Sequence, residues 1–174
     1  DLIRASTGLN LALDYLPGAV TYDSLAITPD EDLASRIVWL DAYVSNVDRT
    51  PRNANMMTWH RRLWLIDHGA ALYFHHGWDG MAGRSRKPFV QIKDHVLLPL
   101  ASRLAEVDAM LAQKITPALI SDIVAQVPPT WLLGETAFAD ADRHRQAYVD
   151  YLLERIKAPR AFVEEAIRAR ANLV

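Results

Sequence analysis

Three oxygen-bearing side chains stand at a spacing that suits phosphoryl transfer. Asp48 is followed five positions later by Asn53, and Asp67 follows Asn53 by fourteen positions, at the end of a short apolar run. Kinases place a base and two metal ligands around the terminal phosphate of a nucleotide at such intervals. The pattern predicts Asp48 as the catalytic base that accepts the proton of a hydroxyl acceptor. It predicts Asn53 and Asp67 as the cofactor-binding residues that ligate Mg²⁺ through their oxygens.

The residues around Asp48 also have a structural interpretation. Asp, Asn, Pro and Arg are the residues that a solvated turn between a helix and a strand requires. Arg49 can support the loop or neutralise charge near a phosphate, and Asn46 can brace the loop backbone, although both are common turn residues. The functional interpretation therefore depends on the elements that flank the loop.

A helix is predicted immediately before the loop. Thr28, Pro29 and Glu31 form a helix-start signal in which Thr28 caps the helix and proline occupies its first turn. Apolar residues then recur every three or four positions and lead into the loop, which indicates an amphipathic helix with a buried face. This predicted apolar stripe consists of Leu33, Ile37, Leu40 and Val44.

A β-hairpin is predicted immediately after the loop. Its strands are residues 55–59 and 63–66, and the charged residues His60, Arg61 and Arg62 form the turn. Antiparallel pairing would bring the start of the first strand beside the end of the second. Asn53 and Asp67 are therefore expected at the same end of the hairpin.

The rest of the chain is predicted to be helical, so the fold class is mainly α with a small β-hairpin. Helices are expected over residues 94–112, after the cap-and-proline pair Thr116-Pro117, and over 139–157 and 159–173, with Tyr148, Tyr151, Leu152, Ile156, Phe162, Val163, Ala166 and Ile167 facing the core. The segment 77–88 is rich in Gly, Ser, Arg and Lys, which predicts an exposed loop where kinases carry an activation or substrate-binding segment.

Composition restricts the classes of function. The 174 residues fit one domain, and 19 basic against 21 acidic residues provide no basic field for nucleic acid. The chain has no cysteine, which excludes disulfides and is compatible with a cytoplasmic location. No apolar run approaches the roughly 18 residues that cross a bilayer, so we expect no membrane partner. The first residue is Asp rather than Met, and we expect a piece of a longer protein.

The loop from Asp48 to Asn53 and the turn Ile66-Asp67-His68-Gly69 resemble the motifs of HipA-like kinases, above all the small stand-alone bacterial ones, whose fold is related to phosphoinositide kinases. The resemblance covers roughly the whole chain and is strongest over residues 8–75. It implies an ATP- and Mg²⁺-dependent kinase that phosphorylates protein serine or threonine, with Asp48 as base and Asn53 and Asp67 as magnesium ligands. Some members are toxins of toxin–antitoxin pairs, so an antitoxin is a possible partner.

By this resemblance the chain corresponds to a carboxy-terminal lobe. Residues 1–27 would connect two lobes, 28–75 would form the catalytic core, and 90–174 a helical subdomain. The amino-terminal lobe, which carries the sheet and lysine that cover the nucleotide, is missing, so the isolated chain is expected to have little or no activity.

The same residues are compatible with several alternatives. The chain could be a non-catalytic helical interaction domain, or a lipid kinase of the phosphoinositide type. The histidines His68, His75 and His76 could form a transition-metal site. One of the five tryptophans could stack on adenine, although core packing is more common. The basic residues Arg84, Arg86 and Lys87 could bind phosphate or an acidic peptide, or could belong to a solvated loop.

Overall fold

A computed structural model describes residue 4, residues 6–78 and residues 80–173 of the chain, without the side chains of His76, Met81 and Ala82. The expected class was mainly α with a small β-hairpin, and these residues are mostly helical with a small antiparallel sheet that contains the hairpin. The longer helices are α1 (Glu31–Tyr43), α2 (Leu104–Lys114), α3 (Pro117–Ala125), α4 (Ala141–Ile156) and α5 (Ala161–Ala171). A single helical turn covers Met81–Arg84, and 3-10 segments cover Tyr73–His76, Val90–Asp94, Leu98–Leu100 and Pro129–Leu132.

The sheet contains the predicted hairpin and one additional strand. Strands β2 (Met56–Trp59) and β3 (Arg62–Leu65) pair antiparallel, with Met56 opposite Leu65 and Trp59 opposite Arg62. The short strand β1 (Val20–Thr21) pairs with the outer edge of β2, so the strand order is β1-β2-β3. Strand β1 is only two residues long, and so short a strand has no alternating pattern by which the sequence could predict it.

Helix α1 begins at Glu31 and its capping residue differs from the prediction. The carboxylate of Asp30 accepts a 2.7 Å hydrogen bond from the backbone N–H of Leu33, so Asp30 is the N-cap rather than Thr28. Asp30 has the extended backbone that an N-cap requires, and it stands directly before the first helical residue. The predicted helix is therefore present, but it starts two residues later than the proline signal indicated.

The buried face of α1 is broader than the predicted stripe. Ile37 is buried, whereas Leu33 and Leu40 are 39% and 38% exposed. Helices α2 and α5 both pack against α1 and also contact each other. The rings of Trp39, Tyr43 and Phe162 pack together, with centroids 5.3 to 5.7 Å apart. The helix before the loop is thus held rigidly by the core.

The predicted helix over residues 94–112 is wrong in its first half. Residues 90–100 form two 3-10 segments separated by extended backbone at His95, and α2 begins only at Leu104. Pro99 has no N–H for an α-helical bond, which disfavours a continuous helix through this region. The cap at Thr116 is confirmed, because its hydroxyl accepts a 3.2 Å bond from the N–H of Leu119.

The two final helices lie within the predicted ranges. On α4, Tyr151 and Leu152 are buried and Tyr148 and Ile156 are half-buried. On α5, the predicted core residues Phe162, Val163 and Ala166 are buried, but Ile167 is 42% exposed. No described helix is long and apolar enough to cross a bilayer.

Candidate active site

The loop that carries Asp48 is anchored to a buried carboxylate on α1. Asp41 is completely buried, and its Oδ1 accepts a 3.0 Å hydrogen bond from the side-chain amide of Asn46. Its Oδ2 accepts bonds from Arg49 Nε at 2.5 Å and from His95 Nε2 at 3.0 Å. A buried carboxylate is tolerated only when paired and hydrogen-bonded in this way. Two residues of the loop, Asn46 and Arg49, are therefore held by a carboxylate that is fixed in the core.

Asp48 sits among three asparagine side chains. Its backbone N–H donates to Asn46 Oδ1 at 3.2 Å, and its Oδ2 accepts bonds from Asn53 Nδ2 at 2.8 Å and Asn55 Nδ2 at 3.1 Å. Asp48 is half-buried, whereas Asn53 is exposed. The Oδ1 oxygen of Asp48 accepts no hydrogen bond from another described residue. The structure thus brings two of the three predicted site residues together and orients the carboxylate of Asp48.

Asp67 lies on a turn that runs beside this loop. The N–H of Ile66 donates to the carbonyl of Asn55 at 3.0 Å, one step beyond the last strand pair, so Asp67 is at the same end of the hairpin as Asn53. The expected topology of the hairpin is confirmed. Asp67 is exposed and has a left-handed backbone with φ of 48°, which aspartate tolerates better than most residues.

The residues that follow Asp67 are also attached to the loop, by backbone hydrogen bonds. The N–H of Val47 donates to the carbonyl of Ala70 at 3.4 Å, and the N–H of Leu72 donates to the carbonyl of Val44 at 2.6 Å. The residue next to Asp48 therefore contacts the turn that carries Asp67. Backbone hydrogen bonds therefore join the loop to the turn.

The loop and the turn carry oxygen atoms of the types that a hard divalent cation prefers. Because Nδ2 of Asn53 is engaged by Asp48, the remaining polar atom of that side chain is its carbonyl oxygen Oδ1. Together with the exposed carboxylate of Asp67, this provides one neutral and one charged oxygen, the ligand types that Mg²⁺ prefers. Mg²⁺ commonly retains several waters, so two protein ligands are sufficient.

Arg49 supports the loop and is not exposed toward a ligand. Its side chain is 1% exposed, and besides the bond to Asp41 its Nη1 donates to the carbonyl of Asn55. Its Nη2 lies 3.5 Å from His68 Nδ1, in the turn that carries Asp67. The sequence suggested that Arg49 either supports the loop or neutralises charge near a phosphate, and its buried contacts correspond to loop support.

The buried cluster around Asp41 shifts the pKa values of its members. Burial would raise the pKa of Asp41, but the hydrogen bonds from His95 and Arg49 outweigh it and hold that pKa below its ordinary value. Burial lowers the pKa of His95, against the opposing effect of its bond to Asp41. His95 Nδ1 accepts a 3.0 Å bond from the N–H of Leu97. The ring is therefore neutral, with its proton on Nε2 facing Asp41.

The described residues do not support a histidine metal site. No group of three or more His, Cys, Asp or Glu side chains within the described part of the chain is arranged to hold a metal. His68 faces Arg49, and His75 Nδ1 lies 3.2 Å from the hydroxyl of Tyr148. The side chain of His76 lies outside the described residues.

The other candidates from sequence have structural contacts. Trp39 is 2% exposed and donates to Asp108, and Trp78 packs edge-on against Phe138 and Tyr148. In the 77–88 segment, of which residue 79 is not described, Arg84 donates to the carbonyl of Gly77 and Arg86 pairs with Glu154 at 2.5 Å. The side chains of Trp39, Trp78, Arg84 and Arg86 are therefore engaged within the fold.

Sequence reasoning missed three residues of the site: Asp41, Asn55 and His95. Asp41 had a signal, because it follows the core position Ile37 by four residues and a carboxylate on a buried helix face must have a partner. Asn55 is left-handed, with φ of 46°, and asparagine is common at such positions. His95 lies far from the loop in sequence and gave no local signal.

Comparison with protein-family models, with curated proteins and with solved structures found no match to this chain.

Proposed function

We propose that this chain is the carboxy-terminal lobe of an ATP- and Mg²⁺-dependent kinase of the HipA-like type, acting on serine or threonine of a protein. The observation that carries the proposal is the pairing of Asn53 Nδ2 with Asp48 Oδ2 at 2.8 Å, on a loop anchored in the core and hydrogen-bonded to the Asp67 turn. The proposed partners are ATP, a protein acceptor, an amino-terminal lobe and, in a toxin–antitoxin pair, an antitoxin.

Each side chain has a defined task in this proposal. Asp48 directs its Oδ1 oxygen at the acceptor hydroxyl and accepts its proton, while Asn53 and Asn55 fix the carboxylate through Oδ2. Asn53 Oδ1 and the Asp67 carboxylate would hold Mg²⁺. When bound, MgATP supplies the transferable phosphoryl group, and the cation offsets charge on its phosphates.

The site is tested by isosteric substitutions in the full-length protein. Asp48→Asn and Asp67→Asn should each lower Mg²⁺-dependent transfer of labelled phosphate by roughly 100-fold or more, because a positioned base contributes that much to catalysis and the metal ligand loses its charge. Asp142→Asn is the matched control, since Asp142 is exposed on α4 and is also followed by arginine. It should leave the rate unchanged. Wild-type turnover in both site variants would overturn the proposal.

The acceptor is tested separately. Labelled ATP is incubated with the full-length protein and either cell extract or vesicles that contain phosphoinositides. Label on protein serine or threonine supports a protein kinase, and label confined to lipid would replace it by the lipid-kinase alternative. Under this proposal the 174 residues alone should show little transfer, because a separate amino-terminal lobe would cover the nucleotide.

A non-catalytic interaction domain is the second candidate, and one surface favours it. A cavity of about 450 Å³ lies between α1, α3 and α4, and its lining is almost entirely apolar. Leu40, Ile123 and Trp131, which line it, are each more than a third exposed. Solvent-accessible apolar grooves of this kind are typical of protein interfaces. Under this alternative the full-length protein would show no Mg²⁺-dependent turnover, which the substitution experiment measures directly.

A further inference from the structure

The buried pair of Asp41 and Arg49 links helix α1, the loop that carries Asp48 and the turn that carries Asp67. Asp41 belongs to α1, and Arg49 belongs to the loop one residue after Asp48. Both side chains are fully buried, and their contact distance is 2.5 Å. Neither side chain is exposed to touch a substrate, so any role in the reaction must act through other residues.

The charges within this pair balance. The neutral ring of His95 donates to Asp41 from Nε2, and Asn46 donates to the other carboxylate oxygen. The cluster therefore contains one negative and one positive charge, each with several hydrogen bonds. Removing either charge alone leaves the other buried without compensation.

The geometry of the guanidinium explains why arginine is present. Its Nε contacts Asp41 on α1, its Nη1 donates to the carbonyl of Asn55 at the base of the hairpin, and its Nη2 lies 3.5 Å from His68 in the Asp67 turn. These three nitrogens are held in one rigid plane. The single ammonium group of a lysine cannot reach the same three places.

We propose that Asp41 and Arg49 are positioning residues that set the spacing between the Asp48–Asn53 loop and the Asp67 turn, and hence the geometry of the Mg²⁺ site. This inference rests on the proposed function. The competing explanation is a buried ion pair that only stabilises the fold. The two differ in what happens to metal binding in a variant that is still folded.

The test measures Mn²⁺ affinity, with Mn²⁺ as the probe for Mg²⁺, by electron paramagnetic resonance on the full-length protein. Arg49→Lys keeps the charge and removes the planar three-way contact. We expect it to weaken Mn²⁺ binding by roughly 10-fold or more, the effect typical of residues that orient metal ligands. Because Asp41→Asn alone leaves the Arg49 charge uncompensated, the double variant Asp41→Asn/Arg49→Gln is the second test, with the same expected loss.

The matched control is another ion pair that links separate elements. Arg160 Nη2 and Asp108 Oδ2 are 2.7 Å apart and join the start of α5 to α2. Arg160→Lys should lower stability while leaving Mn²⁺ affinity within about 2-fold of wild type. Wild-type affinity in folded Arg49→Lys and in the double variant, with loss in Asp67→Asn, would overturn the positioning role and leave the proposed function intact.

A second measurement separates this inference from the proposed function. If Asp48→Asn and Asp67→Asn both leave turnover and Mn²⁺ binding unchanged, the proposed function fails. Amide hydrogen exchange then decides whether the pair holds the loop and turn together. Arg49→Lys should accelerate exchange at Val47, Ile66 and Leu72, whose N–H groups make the bonds between these segments. Exchange equal to that of Arg160→Lys would overturn the positioning role as well.

Discussion

The guanidinium of Arg155 on α4 donates a 2.8 Å hydrogen bond from Nε to the carbonyl of Tyr43, the last residue of α1. Its Nη2 donates to the carbonyl of Ala42 at 2.8 Å, and its Nη1 to the carbonyl of Ser85 at 3.0 Å. The last carbonyls of a helix lack intrahelical donors, and Tyr43 stands at this position, while the carbonyl of Ala42 also accepts a 3.4 Å bond from the N–H of Ser45. One buried cation therefore joins α4, the end of α1 just before the Asp48 loop, and the 77–88 segment.

Replacing Arg155 by methionine should destabilise the fold by about 3 kcal/mol. The apolar side chain fills similar space but removes the buried hydrogen bonds to the carbonyls of Tyr43, Ala42 and Ser85, and loss of a buried hydrogen bond costs on the order of 1–3 kcal/mol before relaxation. It also removes a positive charge from the negative end of α1. Urea unfolding measures the loss. Arg143→Met, at an exposed position on the same helix, should change the free energy of unfolding by less than about 0.5 kcal/mol. Equal effects of the two substitutions would contradict this assignment.

The cap of α1 can be assigned by two substitutions. Asp30→Ala should lower the free energy of unfolding by about 1 kcal/mol, because the N–H of Leu33 loses its acceptor at the helix start. Thr28→Ala should change it by less than about 0.5 kcal/mol, since Thr28 stands outside the cap. Thermal or urea unfolding of both variants checks the prediction. A larger effect at Thr28 would favour the cap inferred from the sequence signal.

Residues that favour positive φ should stabilise the hairpin turn at His60 and Arg61. His60 and Arg61 have φ of 48° and 60°, values that Asn and Gly adopt more readily in two-residue hairpin turns. The double substitution His60→Asn/Arg61→Gly should raise the free energy of unfolding by about 1 kcal/mol. It also loses the packing of His60 against Trp59, whose ring centroids are 4.3 Å apart. His60→Ala/Arg61→Ala loses the same contact without relieving the backbone and should show no gain. A gain in the alanine variant would argue against the conformational explanation.

Acidification should weaken the fold through His95. Burial places the pKa of His95 in the folded chain below its ordinary value of 6.5. The unfolded chain therefore binds a proton near pH 6.5 that the folded chain does not, and stability falls from pH 6.5 downward until the pH reaches the folded pKa. The slope from this group is at most about 1.4 kcal/mol per pH unit.

This pH dependence is measured by urea unfolding at pH 7.5 and pH 5.5. His95→Gln keeps an N–H donor for Asp41 but does not titrate, so its stability should fall less between the two pH values than that of the wild type. Other titrating groups contribute to both proteins and cancel in the comparison. The same fall in both proteins would show that His95 does not carry the effect.

Much of the local structure follows from residues that are close in sequence. The hairpin, the cap at Thr116 and the two final helices were predictable because each depends on alternation, helical periodicity or a capping side chain within a few positions. The errors have physical reasons. Periodicity predicted burial for Leu33 and Leu40, but a neighbour must be present to cover a side chain, and periodicity does not specify that neighbour.

The pairing of Asp48 with Asn53 could be anticipated from the sequence, because an interval of five residues is short enough for one loop to close it through a hydrogen bond. The contacts that hold this loop come from residues that are distant in sequence and could not be anticipated in the same way. His95 reaches Asp41 across 54 positions and Arg155 reaches Tyr43 across 112. A buried charge must find its partner wherever packing brings one, and the packing of distant segments is a property of the whole chain.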